Sequence, residues 1–261
     1  MKSNHYPVIN GAESIYFSGN HIGILLCHGF NGTPQSMQFI GEQLSTYGYT
    51  ISIPRLSGHG TYYLEMEDCT YNDWISDLQT AYEQLKTSCS TVYIVGQSMG
   101  GALTLQLAAR NQHINGVFLI NAAVTEVAYQ DLIDSKTPRF IDEDSPDIKK
   151  DSVFEITYDK VPLNAIQQLL SLMEDTKKKV EQVTCPAVIF KSAIDNVVSP
   201  SNSDFILNNV TSKNKKQIVL ENSYHVASMD YDAPLIVDSI HKNINILEDN
   251  ECIKTSEVRV L

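Results

Sequence analysis

The sequence predicts an α/β fold, in which strands and helices alternate along the chain. Its 261 residues contain short apolar runs rich in β-branched residues, and most runs are continuous, as strands buried on both faces of a parallel sheet should be. Amphipathic helical patterns separate several of these runs, and this alternation is typical of α/β proteins. We interpret the following runs as strands: Ile22–Cys27, Thr50–Ile53, Val92–Val95, Val117–Ile120, Ala187–Phe190 and Ile218–Leu220.

Two helical patterns can be placed between the predicted strands. Pro34–Tyr47 carries Met37, Ile40 and Leu44 on one face, and Asn72–Lys86 has a similar apolar face. Both helices would therefore pack one side against the sheet.

The composition excludes several classes of protein. Lys and Arg number 19 against 31 Asp and Glu, a formal charge of −12, so nucleic acid and anionic membranes are poor partners. No apolar stretch is long enough to span a bilayer, and the first residues do not resemble a signal peptide. Five cysteines with no C-x-x-C pair fit reduced thiols without a metal-binding role. We therefore expect a cytoplasmic protein.

The alternation breaks once, between Ala122 and Thr184. Prolines interrupt this stretch, it shows no convincing strand, and it is far longer than a simple crossover requires. We predict a cap over residues 123–184, a core formed by 1–122 and 185–247, and a flexible tail over 248–261. Pro162 should open a cap helix. Its apolar face carries Leu163, Ile166, Leu169, Leu170 and Met173.

The motif Gly96-Gln97-Ser98-Met99-Gly100 is the strongest chemical signal. It follows a predicted buried strand directly and opens a helix, which is the arrangement that exposes a nucleophilic serine on a sharp turn. The alternative role for Ser98 is that of a helix cap.

A nucleophilic serine needs a general base, and the base needs a carboxylate to orient it. Of the histidines after Ser98, His113 lies far along the next helix and His241 lies in the C-terminal helical pattern. His225 follows a predicted strand in a loop, so we assign it as the base. Asp195 follows the preceding predicted strand and is assigned as the acid, in preference to Asp204.

The transition state also requires two N–H donors for the developing oxyanion. One is expected from Met99, which follows the nucleophile, and the other from the loop His28-Gly29-Phe30-Asn31-Gly32 after an earlier strand. Phe30 is our candidate in that loop. On chain order, His28 is predicted to orient the loop.

These motifs resemble the bacterial carboxylesterase and monoacylglycerol lipase group of the α/β-hydrolases. The resemblance spans about Val8 to Ile246. The matching segments are Cys27–Pro34, Pro54–Thr61, the serine motif, Ile120–Ala123 and Asn222–His225.

The resemblance implies a mostly parallel sheet flanked by helices, with a small cap between strands 6 and 7. It implies a serine esterase without cofactor or metal that cleaves monoacylglycerols or simple acyl esters. The triad positions match Ser98, Asp195 and His225, and the oxyanion donors match Phe30 and Met99. On the cap, Glu155 matches an acidic residue that binds glycerol; its alternative role is a solvated surface charge. We expect the apolar face of the cap helix to contact the acyl chain of the substrate.

Other functions remain open at this stage. The same triad could cleave amides or carbon–carbon bonds or transfer acyl groups, and the fold could also serve a non-catalytic binding protein. The expected partner is a small ester or monoacylglycerol. Only transient contact with lipid aggregates, through the cap, is expected, and the oligomeric state is left open.

Overall fold

The computed structural model describes residues 6–258 and has the α/β architecture that the sequence predicts. The strands are β1 (Ile15–Phe17), β2 (Ile22–Cys27), β3 (Thr50–Ile53), β4 (Thr91–Gln97), β5 (Gly116–Ile120), β6 (Phe140–Asp142), β7 (Lys160–Pro162), β8 (Ala187–Ser192) and β9 (Lys215–Leu220). Seven of them form the main sheet of the described residues, in the order β1-β3-β2-β4-β5-β8-β9. All neighbours are parallel except β1, which is antiparallel to β3.

Helices cover both faces of this sheet. They are α1 (Gln35–Thr46), α2 (Tyr63–Glu67), α3 (Tyr71–Lys86), α4 (Met99–Arg110), α5 (Leu163–Lys177), α6 (Ser201–Asn209) and α7 (Ala233–Val258). One apolar cluster joins the sheet to α3, α4 and α5 and includes the fully buried Trp74. A second cluster, containing Ile40 and Ile240, joins the opposite face to α1 and α7. The carboxyl ends of β2, β4, β5, β8 and β9 therefore meet at one edge between these layers.

Local sequence explains where α3 begins. Thr70 is its N-cap, and its N–H and hydroxyl both donate to the Asp73 carboxylate, at 2.8 and 2.7 Å. A carboxylate three residues into a helix satisfies N-terminal donors and favours the positive end of the helix dipole. The helix therefore starts at Tyr71, one residue before the predicted pattern.

The insertion lies between β5 and β8, which are the fifth and sixth strands of the main sheet in chain order. The predicted position between strands 6 and 7 is therefore wrong for the described residues, because only five strands of this sheet precede the insertion. The insertion also contains the antiparallel pair β6 and β7. The sequence pattern misses both strands because each has only three residues. Helix α5 begins at Leu163, directly after the predicted start at Pro162, and packs against α4.

The C-terminal region differs from the predicted tail over residues 248–261. The backbone of α7 is helical as far as Val258, and residues 259–261 lie outside the described part of the chain. Among the helices described, none is both long and apolar enough to cross a membrane. The four cysteines whose side chains are described are free thiols, and the Cys252 side chain lies outside that set.

Candidate active site

The turn that carries Ser98 connects β4 directly to α4. Ser98 has φ 55° and ψ −119°, a strained conformation for a residue with a side chain. The turn is tight enough that a Cβ atom on Gly100 would lie only 2.6 Å from the carbonyl oxygen of His28. Glycine is therefore required at this position, and the close packing of β4, α4 and the loop after β2 fixes the direction of the Ser98 side chain.

Ser98, His225 and Asp195 form a continuous hydrogen-bonded chain. His225 Nδ1 lies 2.8 Å from Asp195 Oδ2, and His225 Nε2 lies 2.9 Å from Ser98 Oγ. An ionised carboxylate can only accept, so Nδ1 carries the proton and Nε2 is left to accept the Ser98 hydroxyl proton. This is the tautomer in which a histidine can activate a serine.

The carboxylate of Asp195 is fixed by its own loop. Its other oxygen, Oδ1, accepts the backbone N–H groups of Val197 and Val198 at 2.9 and 2.8 Å, and the side chain is only 2% exposed. Burial by itself would lower the pKa of His225, but the nearby carboxylates of Asp195, Asp147 and Glu155 together raise it above its usual value. The site therefore stabilises the imidazolium that forms when His225 takes a proton.

The alternative residues lie outside this chain. Asp204 pairs with Lys191 at 2.7 Å, and His241 stacks on Tyr47 with ring centroids 3.8 Å apart. His113 lies beyond the last residue of α4, at the end opposite Ser98. Within the described side chains, no group of three or more His, Cys, Asp or Glu residues is arranged to hold a metal ion.

Two backbone N–H groups close to Ser98 in the chain or in the neighbouring loop have no partner among the described residues. Met99 begins α4, so its N–H has no acceptor within the helix, and no hydrogen bond between described residues uses the N–H of Met99 or Phe30. The loop that carries Phe30 passes close to the nucleophile, because a Cβ atom on Gly29 would lie 3.3 Å from Ser98 Cβ. The Phe30 ring meanwhile packs edge-on against Trp74, with centroids 6.1 Å apart.

His28 holds this loop in place. Its Nδ1 lies 2.9 Å from the carbonyl oxygen of Gly29, and its Nε2 accepts the backbone N–H of Leu56 at 3.3 Å. Full burial lowers the pKa of His28 to about 4, so the ring is neutral and can donate on one side and accept on the other. It therefore joins the loop after β2 to the loop after β3, as the predicted orienting role requires.

Asn121, at the end of β5, fixes the loop of the base. The sequence motif includes this residue but gives it no role. Its amide Nδ2 donates to the carbonyl oxygen of His225 at 2.9 Å and to Ser192 Oγ at 2.8 Å, while Oδ1 accepts the N–H of Ser192 at 2.8 Å. Asn121 has a positive φ of 45°. Through these hydrogen bonds its side chain connects the carboxyl end of β5 to the end of β8 and to the loop after β9.

The triad opens into a cavity of about 260 Å³ beneath the insertion. Glu155 lines this cavity together with Ser98 and His225, and it is only 7% exposed. Burial raises the pKa of Glu155 to about 7, an effect that the neighbouring His225 and Ser36 partly offset. Its alternative role as a solvated surface charge is therefore wrong, since the side chain is buried at the site.

The acyl-contacting face predicted on α5 is largely wrong. Of its five residues, only Leu169 lines the cavity. Ile166, Leu170 and Met173 are buried in the apolar cluster that α5 shares with α3 and α4, and Leu163 is also buried. The insertion instead lines the cavity with Asp142–Asp147 together with Glu155 and Thr157, so several of the lining side chains are acidic.

Comparison with known proteins gives one family and several relatives. The pattern of the serine aminopeptidase S33 family (Hydrolase_4) matches residues 20–232. The thermostable monoacylglycerol lipase of Bacillus sp. (strain H-257) is 43% identical over 238 residues, covering 90% of this chain and 95% of the relative. The carboxylesterase of Bacillus subtilis (strain 168) is 25% identical, with 89% and 96% coverage.

The fold has close counterparts among solved structures. A structure described for LipS and LipT, two metagenome-derived lipolytic enzymes, superposes with a TM-score of 0.88 at 37% identity, covering 93% of this chain and all of the other. The Saccharomyces cerevisiae monoglyceride lipase superposes with a TM-score of 0.74 at 16% identity, covering 94% and 90%, and shows the shared fold. The family match covers most of the chain, and the site holds the expected serine. This chain therefore belongs to the serine aminopeptidase S33 family and is a serine hydrolase of the α/β-hydrolase fold.

Proposed function

We propose that this chain hydrolyses monoacylglycerols and simple carboxylic esters, with Ser98 as nucleophile, His225 as general base and Asp195 as the residue that orients the base. The observation that carries this proposal is the hydrogen-bonded chain from Ser98 Oγ through the His225 ring to Asp195, at 2.9 and 2.8 Å. Hydrogen bonds of this length are short enough for proton transfer between the three side chains, and Ser98 and His225 also line the cavity of about 260 Å³.

The reaction proceeds in two halves. In the first, Ser98 Oγ attacks the ester carbonyl carbon while its proton moves to His225 Nε2, and the C–O bond to the alcohol breaks as His225 returns that proton to the leaving alcohol. In the second, a water molecule gives a proton to His225 and attacks the acyl carbon, and the bond to Ser98 Oγ breaks as His225 returns that proton to Oγ, which releases the carboxylic acid. Asp195 remains ionised and stabilises the imidazolium in both halves.

The oxyanion of each tetrahedral intermediate is proposed to bind the N–H groups of Phe30 and Met99. Neither N–H has a hydrogen-bond partner in the part of the chain that the structure describes, and Met99 also lies at the positive end of α4. Donors that are already in place need no reorganisation when charge develops on the oxygen, and they therefore stabilise the transition state more than the substrate.

Glu155 is proposed to bind the glycerol of a monoacylglycerol. A buried carboxylate in the substrate cavity needs hydroxyl or N–H donors, and a glycerol group would supply two hydroxyls. The similarity to a monoacylglycerol lipase over most of both chains supports this substrate class. Leu169 and the apolar side chains of Val127 and Val198 line the same cavity and would contact the acyl chain.

Contact with lipid aggregates is proposed to be transient and to involve the insertion. Phe154 is 76% exposed on this element, and Ile133 is 45% exposed. The acidic side chains that the insertion contributes to the cavity would repel anionic surfaces and limit the strength of such contact. We place the enzyme in the cytoplasm, a proposal supported by the four free thiols.

Labelling with a fluorophosphonate followed by kinetics on an ester panel tests the function. A single covalent adduct on Ser98, with hydrolysis of p-nitrophenyl esters and monoacylglycerols but not of matched anilides, is the expected result. Labelling without ester hydrolysis would overturn the proposed reaction, and faster cleavage of the anilides would assign amide chemistry instead. Equal rates on triacylglycerols would remove the monoacylglycerol preference.

A further inference from the structure

Asp147 lies in the insertion and contacts two catalytic loops at once. Its Oδ2 accepts the backbone N–H of His225 at 3.1 Å and the backbone N–H of Asn196 at 3.0 Å. Its Oδ1 accepts the Asn196 side-chain amide at 2.8 Å. Asn196 directly follows Asp195, so one carboxylate is bonded both to the general base and to the residue next to the acid.

The segment around Asp147 is held firmly against the loop of the base. The carbonyl oxygen of Asp147 accepts the N–H of Val226 at 3.1 Å. The buried carboxylate of Asp230 accepts the N–H groups of Lys149 and Lys150 at 2.7 and 3.0 Å, and that of Tyr224 at 2.9 Å. These bonds fix the position of the Asp147 backbone, so its side chain makes a defined connection between the loops.

We infer that Asp147 is a positioning residue, whose carboxylate clamps the loop of Asp195 to the loop of His225 and so sets the geometry between acid and base. The inference rests on the proposed function of the triad. The two loops follow separate strands, β8 and β9, and Asn121 holds the carbonyl side of His225 from the sheet. Asp147, in the insertion, accepts the backbone N–H of His225. Both the N–H and the carbonyl group of His225 are therefore held by hydrogen bonds.

Asp147 also affects the proton affinity of His225. Of the charged groups that face this histidine, Asp195 lies on the loop after β8, while Asp147 and Glu155 lie on the insertion, and all three raise the pKa of the ring. Removing the charge of Asp147 therefore lowers the pKa of His225, and the acid limb of the rate profile moves to lower pH. A role limited to stabilising the fold would not move this limb.

The test compares Asp147→Ala, Asp147→Asn and the control Asp151→Asn. Asp151 is an exposed carboxylate of the same segment that makes no hydrogen bond to either loop. The readouts are the pH dependence of Ser98 labelling by a fluorophosphonate, and kcat and KM for p-nitrophenyl butyrate. Asp147→Ala should reduce labelling and kcat by about 10- to 100-fold with KM nearly unchanged, because small misplacements of reacting groups have effects of this size.

Asp147→Asn keeps one acceptor oxygen but loses the charge. It should recover much of the plateau rate while its acid limb stays at lower pH, and Asp151→Asn should match the wild type in both. The inference would be overturned if Asp147→Ala had the wild-type labelling rate and the wild-type acid limb. It would also be overturned if the acid limb of Asp151→Asn shifted as far as that of the Asp147 variants. If Asp147→Ala does not fold, an unshifted limb in Asp147→Asn overturns it. If the wild-type protein is labelled at Ser98 but hydrolyses no ester, the proposed function is refuted and this inference is not. Labelling of Ser98 would still report how Asp147 positions the two loops.

Discussion

The serine turn and the insertion above it are positioned by different forces. At the turn, the close approach of β4, α4 and the loop after β2 leaves no space for side chains, and a Cβ atom on Gly100 would meet backbone on the neighbouring loop. The insertion instead reaches the site through polar contacts, such as those of Asp147 with His225 and Asn196. Ser98 is therefore fixed by steric exclusion, and the side chains that the insertion contributes are fixed by hydrogen bonds.

This difference predicts how each region responds to change. Steric exclusion is insensitive to pH and salt, but it tolerates no added atom, since interiors are close-packed. Hydrogen bonds to carboxylates tolerate small changes in shape, but they depend on the charge and therefore on pH. Variants at the turn should affect all substrates equally, whereas variants in the insertion should affect selected substrates or a selected pH range.

The largest expected effect is at the nucleophile. Ser98→Ala should leave a folded protein with at least ~10⁴-fold lower kcat for every ester, because the triad acts as a unit and only binding and the oxyanion donors remain. Asp195→Asn should have nearly the same effect, since it favours the wrong tautomer of His225. Circular dichroism with ester kinetics checks both, and a folded Ser98→Ala protein with a tenth of the wild-type rate would contradict the assignment of the nucleophile.

The next effect is steric and tests how the turn is held. Gly100→Ala should destabilise the protein by about 3 kcal/mol, because its Cβ atom would press on the backbone of the loop after β2. The same displacement moves Phe30 and should lower kcat of the folded fraction by roughly 10²-fold, the effect of losing one oxyanion donor. Denaturant unfolding and kinetics at matched folded concentration measure the two effects separately.

Gly116→Ala is the matched control for this change. Gly116 is also confined, although less tightly, with a Cβ atom placed 3.2 Å from the Tyr93 ring, and it begins β5 at the edge of the sheet opposite the site. It should lower stability and leave the kcat of the folded protein unchanged. Equal losses of kcat in both variants would mean that the turn has no special role in placing the oxyanion donor.

The parts of the site that the sequence predicts are those encoded by consecutive residues at strand ends. The motif around Ser98 identifies the turn, and the position of Asp195 and His225 after apolar runs places them at the same sheet edge. The short apolar runs also predict six strands of the main sheet correctly. The pattern does not reveal the edge strand β1, because this strand has three residues and is not fully buried.

The insertion was predicted less well, for physical reasons. Its periodic helix is clear in the sequence, but periodicity identifies only a buried face and not the surface that buries it. Most of that face packs in the apolar cluster with α3 and α4, and four of its five residues do not line the cavity. The contacts of Asp147 join residues 49 and 78 positions apart, and no local pattern encodes a hydrogen bond over such a separation.

Glu155 tests the polar side of the comparison. Glu155→Gln should lower kcat/KM for a monoacylglycerol by roughly 10- to 100-fold, because a hydrogen bond to a charged acceptor contributes about 1.5–3 kcal/mol. The ethyl ester of the same acid has no glycerol hydroxyls and should be much less affected. The measurement is the ratio of the two kcat/KM values, and an unchanged ratio would remove Glu155 from the glycerol site.

Gly32→Ala provides a second way to disturb Glu155. A Cβ atom on Gly32 would lie 2.9 Å from Glu155 Oε1, so the added methyl group displaces the carboxylate without removing its charge. The contact is with the flexible end of a side chain, so the fold should tolerate it. The ratio of kcat/KM for the monoacylglycerol to kcat/KM for the ethyl ester should fall, as in Glu155→Gln, but by a smaller factor.

The smallest expected effect is a change in the pH dependence of kcat/KM. His225 must be neutral to accept the Ser98 proton, so the rate for p-nitrophenyl butyrate rises with pH through the pKa of His225, and this midpoint should lie above 6.5 because three carboxylates favour the imidazolium. Glu155 itself has a pKa of about 7, so it ionises over the same range and strengthens its effect on His225 as the pH rises. The acid limb of the wild-type pH profile should therefore be broader than a one-proton titration curve.

Glu155→Gln should lower the midpoint of this acid limb and narrow it to a one-proton titration curve. A limb of unchanged midpoint and width in Glu155→Gln would show that this carboxylate does not interact with the base, even though both line one cavity.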